Sequence, residues 1–461
     1  MPTLVPLWSD VCLWLLVLVG LWYARQARRH EPLRAPWRAV RRGPMALAAA
    51  CVLLVYLAIA LLDSVHLERT TRPADGAETA ILSVLDVLLT PLRLGVETSY
   101  SAPFATRAFS QESVLTSAGR VQREYPRLRY GAAHSAESQG ARARDIFQRS
   151  ATGAVAGLAL ALSALWLALP AALGRTDRAA RAAGLTLLAL GVGGGVLLAL
   201  ATRYHVFGTD KVGSDVFYQA LKSVRTGLLI GTLTTLVALP LALVLGVAAG
   251  YFRGFTDDLV QYFYTTLSAI PGVLLVAASA LLLDAYMTRH AEAFTSLLAR
   301  ADLRLLALCG ILGITSWTSL CRLLRAEALK LREMDFVHAA RALGARSGQI
   351  LRQHLVPNVM HIVIITTVLD FSSLVLAEAA LTYLDIGVDP SMDSWGNMIN
   401  AARLELAREP LVWWSLAAAL SSMFGLVLAA NIFADAVRDA FDPRQREFGL
   451  TPSAPTARVC E

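Results

Sequence analysis

Asp370 and Glu378 stand eight residues apart inside His361–Leu384, a stretch whose other residues, His361 aside, carry no titratable charge. Carboxylates in such a setting are costly, and they line a pathway, relay protons or pair with another helix. Eight residues is close to two helical turns, so on a helix the two would share a face. The residues alone leave several chemistries open. The pair can meet the cationic parts of a solute, pair with a partner subunit, or pass protons in a gradient-driven transporter, and Glu378 can simply lie near the outer interface.

Enzyme chemistry finds no footing in the motifs. The sequence has no GxxxxGK[ST] phosphate loop, no HExxH and no GxSxG, and its eight histidines form no ligand cluster. No metal-ligand spacing appears among the five cysteines: Cys12, Cys51 and Cys309 lie inside apolar runs, Cys321 at the end of one, and Cys460 beside the terminus. The chain is therefore expected to bind no ATP and no metal of its own, and to draw energy from elsewhere.

The elements that must position these residues are membrane helices. Of 461 residues, 56% are hydrophobic and 17% charged, and the apolar residues fall in blocks. Uncharged runs at Met45–Leu62, Ala151–Gly174, Ala182–Thr202, Thr226–Phe252, Leu259–Leu283, Leu305–Cys321 and Leu411–Ala434 are each near the length that crosses a bilayer. With the interrupted stretches Leu4–Trp22 and His361–Leu384 they predict an all-α polytopic protein of about nine spans. The +7 net charge is then a membrane signature, and nucleic acid is not expected as a partner. The segments assigned to the cytoplasm hold 22 Lys and Arg and the short external loops 9, which places the N-terminus outside and the C-terminus inside. Arg25, Arg28 and Arg29 follow the first apolar run, so that run reads as a retained helix and not a signal peptide.

Two parts are expected: residues 1–202, with four spans and a polar external insert at 64–150, and residues 203–445, with five spans and every motif. Within the insert, Ile81–Val96 is apolar but carries Asp86, Pro91 and Arg93, so it is expected to be a packed or amphipathic segment. Residues 446–461 form a cytoplasmic tail.

The most informative segment is the loop 322–358. Its seven basic residues against three acidic ones make it aqueous. Phe336, Ala340 and Leu343 recur at helical spacing, Gly344 interrupts, a second short helix holds Ile350, and Pro357 ends it. A helix, glycine turn and helix between two membrane spans suits docking into a groove on a partner, or lying on the membrane surface.

Val337-His338-Ala339-Ala340-Arg341-Ala342-Leu343-Gly344, with Ile350 and Leu355-Val356-Pro357-Asn358, resembles the EAA loop of permeases in binding-protein-dependent ABC importers. His338 stands where that family has glutamate. Gly208-Thr209-Asp210-Lys211-Val212-Gly213-Ser214-Asp215-Val216 is similar to the GTDxxGRDV signature of the dipeptide, oligopeptide and nickel branch, with Ser214 in place of arginine. Leu376–Leu381, Ser394-Trp395-Gly396 and Arg438–Arg444 resemble the end of the same family, with Asp385 where glycine is usual.

The resemblance covers about 203–445 and implies a type I ABC importer permease core in the C-terminal half. It implies that 333–357 is the coupling loop seated on an ATPase. It also implies two P-loop ATPase subunits holding ATP and Mg, a second related permease and a periplasmic substrate-binding protein, all in the bacterial inner membrane. Peptides are the expected cargo. Asp210 and Asp215 are read as turn and cap residues or as contacts to the binding protein, and Trp395 as an interfacial anchor or a substrate contact. Outside this class stand a proton-coupled transporter using Asp370 and Glu378, and a membrane scaffold or sensor. Neither accounts for these motifs standing in the family's order.

Overall fold

The computed structural model describes residues 3–29, 31–71, 78–115, 121–133, 139–168, 178–290, 292, 296–407 and 409–441. The 446–461 tail, Cys460 and the 442–444 end of the last motif lie outside these residues.

The chain begins with a short strand β1 (Thr3–Leu4), the helix α1 (Trp8–Arg29), a connecting helix α2 (Glu31–Val40) and α3 (Pro44–Asp63). The insert follows. Strands β2 (His66–Thr71) and β3 (Glu78–Ser83) pair antiparallel, and β1 joins β2 with Thr3 opposite Glu68. Two short helices, α4 (Val84–Leu88) and α5 (Thr90–Leu94), and a β4–β5 hairpin (Glu112–Leu115, Val121–Glu124) complete it. Ser83 starts α4 through a reciprocal capping box with Asp86. Ile81–Val96 is thus a packed strand and helix pair. Helix α6 (Gln139–Ala168) begins inside the insert, its charged first turns (Arg142, Arg144, Asp145, Arg149) preceding the apolar run that starts at Ala151.

After α7 (Arg178–Ala201) come the long α8 (Val216–Phe252), α9 (Phe255–Ala269), α10 (Gly272–Arg289) and α11 (Leu297–Arg332). The loop helices α12 (Asp335–Ala342) and α13 (Ser347–Ile350) lead into α14 (Val356–Tyr383), α15 (Trp395–Glu405) and α16 (Trp414–Phe441). Among the described residues, eight helices are long and apolar enough to cross a membrane: α1, α3, α6, α7, α8, α10, α14 and α16. The ninth apolar stretch, Leu305–Cys321, lies within the 36-residue α11.

Two boundaries differ from expectation. Leu259–Leu283 is not one helix: it breaks at Ile270, which is extended (ψ 129°), and Pro271 caps α10. Proline lacks the N–H that would continue α9 and pushes the preceding residue out of the helical region. Conversely, Pro357 does not end the short helix. A π-helical turn, Leu351–Leu355, carries α13 into α14, and Pro357 sits in the first turn of α14 directly after it.

Packing explains the order. Helices α8 and α11 lie along one another, α14 and α16 join them, and α3 packs on both α8 and α16. Helix α7 packs on α3, and α6 on α7, so that hairpin is peripheral. Two apolar clusters fill the bundle. One surrounds Leu229, Leu305, Val375 and Leu426; the other joins Val247 and Leu324 to Val337, Ile350 and Leu355 of the loop segment.

Candidate functional site

The loop at one end of the bundle is half anchored and half offered to solvent. Val337, Ile350 and Leu355 are fully or nearly fully buried, and Ala340 turns partly inward beside them. Phe336 and Leu343 are 37% and 87% exposed, and His338 and Ala339 are exposed with them. The expected stripe is therefore split, with its two large members free.

The turn ends α12 with hydrogen bonds from Gly344 N–H to Arg341 O (2.9 Å) and from Ala345 N–H to Ala340 O (3.0 Å). Such a C-terminal turn needs a residue at positive φ, and Gly344 has φ +82°. No atom lies within 4 Å of where a Cβ would sit on Gly344, so the requirement is one of backbone conformation alone. Arg341 stacks over the Tyr251 ring (5.0 Å), and Arg253 donates to Glu333 (2.7 Å), tying the loop to the end of α8. His338 Nε2 is 3.9 Å from Glu333, with both side chains about half exposed.

At the opposite end the 208–216 turn grips the insert. Thr209 N–H donates to Ser101 O (3.1 Å), Ser101 N–H donates to Thr209 Oγ1 (2.7 Å), and the Thr209 hydroxyl donates to Ser99 O (2.9 Å). Glu97 N–H donates to Gly213 O (2.9 Å). Gly213 has φ +82°, and a Cβ there would run into the Glu97 carbonyl. Gly208 packs beside Ser101 and Trp414. Asp210 accepts from Val212 and Ser214 N–H, and Asp215 caps α8 by accepting from Phe217 and Tyr218 N–H.

His205 links the two sides, donating from Nδ1 to Asp215 (2.7 Å) and from Nε2 to Glu97 (3.4 Å). Glu97 also accepts three backbone N–H groups, from Arg129, Tyr130 and Gly131. Burial alone would raise the Glu97 carboxyl, but His205 and the three amides hold it down at about 2. Burial would lower His205, but the two carboxylates push it up to about 9.

The three residues expected along a pathway separate. Asp370 is exposed and opens into a polar cavity of about 290 Å³ with Thr235, Ser316, Thr318 and Ser373. Glu378 is 1% exposed and accepts from Thr382 Oγ1 (2.9 Å). The two carboxylates do not share a face, because eight residues overshoot two full turns. Trp395 is also 1% exposed; its Nε1–H donates to Ala220 O (3.2 Å) and its ring meets Tyr56. It packs in the core of the bundle.

Sequence reasoning missed the ionic belt on the first turns of α8. Tyr218 and Lys222 bond Asp86 of α4, and Arg225 bonds Asp10 of α1, whose other oxygen pairs with His66. The one available signal was the spacing of Tyr218, Lys222 and Arg225, which puts them on one helical face at the start of an apolar run.

A multi-pass membrane protein with a charged clasp at one end and an offered helical loop at the other has the form of a transporter subunit. Residues 242–447 match the family described as the binding-protein-dependent transport system inner membrane component. The chain is 31% identical over 242 residues to the dipeptide transport system permease protein DppC of Alkalihalophilus pseudofirmus, covering 52% of this chain and 73% of that one. The oligopeptide transport system permease protein OppC of Bacillus subtilis is 28% identical over 246 residues (53% and 74%). The glutathione transport system permease protein GsiD of Pectobacterium atrosepticum is 29% identical over 242 residues (52% and 73%). This chain belongs to the inner-membrane permease family of binding-protein-dependent ABC importers. Membership implies, in general terms, an ATPase and a substrate-binding protein as partners.

Proposed function

We propose that this chain forms one half of the conduit of a peptide importer. The observation that carries the reading is the loop: Val337, Ile350 and Leu355 root it in the bundle core while Phe336 and Leu343 face outward. A rooted helix with an apolar offered face is suited to fill a groove on a partner and to pass that partner's motion into α8, α11 and α14. Peptides, as cargo, are supported by the names of the dipeptide and oligopeptide relatives.

In this reading the loop end is cytoplasmic, the insert end is external, and the N-terminus lies outside. A second, related permease completes the pathway, and two P-loop ATPases carry the ATP and Mg, one of them gripping residues 333–357. A binding protein delivers substrate from above, and the 208–216 clasp holds the insert as its platform. ATP binding closes the ATPases, shifting a two-state equilibrium of the bundle by binding one state better than the other. Asp370, in its polar cavity, faces the pathway.

The test is uptake of radiolabelled trialanine into proteoliposomes containing the complete assembly and its binding protein. The reading requires accumulation that depends on enclosed ATP. Accumulation driven by a proton gradient without ATP would overturn it.

A further inference from the structure

A cavity of about 590 Å³ opens on the insert end, between the 382–390 turn, α15, Arg304 of α11 and Lys211 of the 208–216 turn. That volume lies within the roughly 300–1,000 Å³ of small-molecule sites. Its lining mixes charges of both signs with amide groups, unlike the nearly all-apolar cleft near Phe371.

Three details mark it as built for a ligand. Asp385 is a non-glycine residue at φ +62°, a position where the resemblance leads one to expect glycine. Asn400 Nδ2 (2.5 Å) and Arg403 Nη2 (3.3 Å) hold its carboxylate, while the side chain stays 66% exposed. Non-glycine residues held in this backbone region concentrate at functional sites. Arg304 is held only loosely, 3.4 Å from Asp284 and 3.8 Å from Asp389, and Lys211 is exposed.

We propose that this cavity is a recognition site for the ends of a short zwitterionic peptide. Asp385 takes the ammonium group, and Lys211 and Arg304 take the carboxylate. The assignment rests on the peptide-import reading and adds to it a contact made by the permease itself.

The experiment is equilibrium dialysis of labelled trialanine and of N-acetyl-trialanine against the full chain in lipid nanodiscs. Asp385→Gly removes the carboxylate and relieves the backbone, and Lys211→Gln alters an exposed side chain, so neither endangers the fold. Trialanine should bind wild type, and each variant should weaken it about tenfold, the loss of one charged contact. N-acetylation should weaken binding to wild type about as much and leave binding to Asp385→Gly unchanged. Equal binding by all three proteins, or no binding to wild type, overturns the site. If the variants instead keep peptide binding but lose a co-purifying binding protein, the cavity is that protein's seat and the assignment fails. A chain that supports ATP-driven peptide uptake yet binds neither probe sinks the site alone. A chain that binds trialanine but supports no uptake sinks the import reading alone.

Discussion

Arg225 on α8 donates from Nη2 to Asp10 Oδ1 on α1 across 2.6 Å, with both side chains under a tenth exposed. Ser9 accepts a second bond from the same nitrogen, and Ser9 N–H donates to Asp302 of α11. The first helix is therefore fastened to the core by charge as well as by apolar packing.

Breaking that pair should be expensive. Asp10→Ala leaves a buried guanidinium without its counter-charge, and such losses cost about 3–5 kcal/mol. Thermal unfolding of the purified chain should show a large drop in midpoint, and Arg225→Met combined with Asp10→Ala should recover part of it. A single variant as stable as wild type would mean the pair holds nothing.

The His205 clasp makes stability depend on pH, with a sign fixed by the two shifts. His205 rises from 6.5 to about 9, so its contribution is complete below pH 6.5 and is lost as pH climbs through 9. Glu97 falls from 4.5 to about 2, so its contribution is complete above pH 4.5 and is lost as pH falls through 2. The insert should resist proteolysis best between about pH 4.5 and 6.5. His205→Gln should flatten the alkaline limb, and an unchanged limb in that variant would contradict the account.

Trp395 fills a pocket against Ala220 and Tyr56. Trp395→Ala should destabilise the bundle by about 3–5 kcal/mol, measured as a lower midpoint in heat or denaturant. Selective loss of substrate binding at full stability would restore it to the list of substrate contacts.

Asp370 and Glu378 should now behave differently. Asp370→Asn, in a polar cavity, should slow uptake several-fold without harming assembly. Glu378→Gln keeps an acceptor for Thr382 and should leave uptake nearly unchanged. Parallel uptake of both variants in proteoliposomes decides this, and equal losses would put the two back on one path.

What the sequence made legible were features written locally. The apolar runs gave the helices, and the Gly344 spacing gave the turn that the backbone adopts at φ +82°. What it hid depends on partners far along the chain. Nothing near Trp395 says that Ala220 and Tyr56 will enclose it. The 208–216 motif reads as a turn and cap, and so it is, but its grip on Glu97, Ser99 and Ser101 exists only because the insert folds back. Treating Leu259–Leu283 as one span overlooked Pro271, a local signal outweighed by hydropathy. Asp370 and Glu378 misled because two turns were counted where the helix had turned further.

The central claim is that the exposed face of residues 336–343 seats on an ATPase. The most direct measurement is cysteine cross-linking of Leu343→Cys in native membranes, with and without Gly344→Val. The account predicts a cross-linked product containing a P-loop ATPase. That product should be lost when Gly344→Val forces a β-branched side chain into positive φ, while the chain still inserts. A loop that forms no ATPase adduct in the assembled complex, or one that reacts only with lipid, would contradict it.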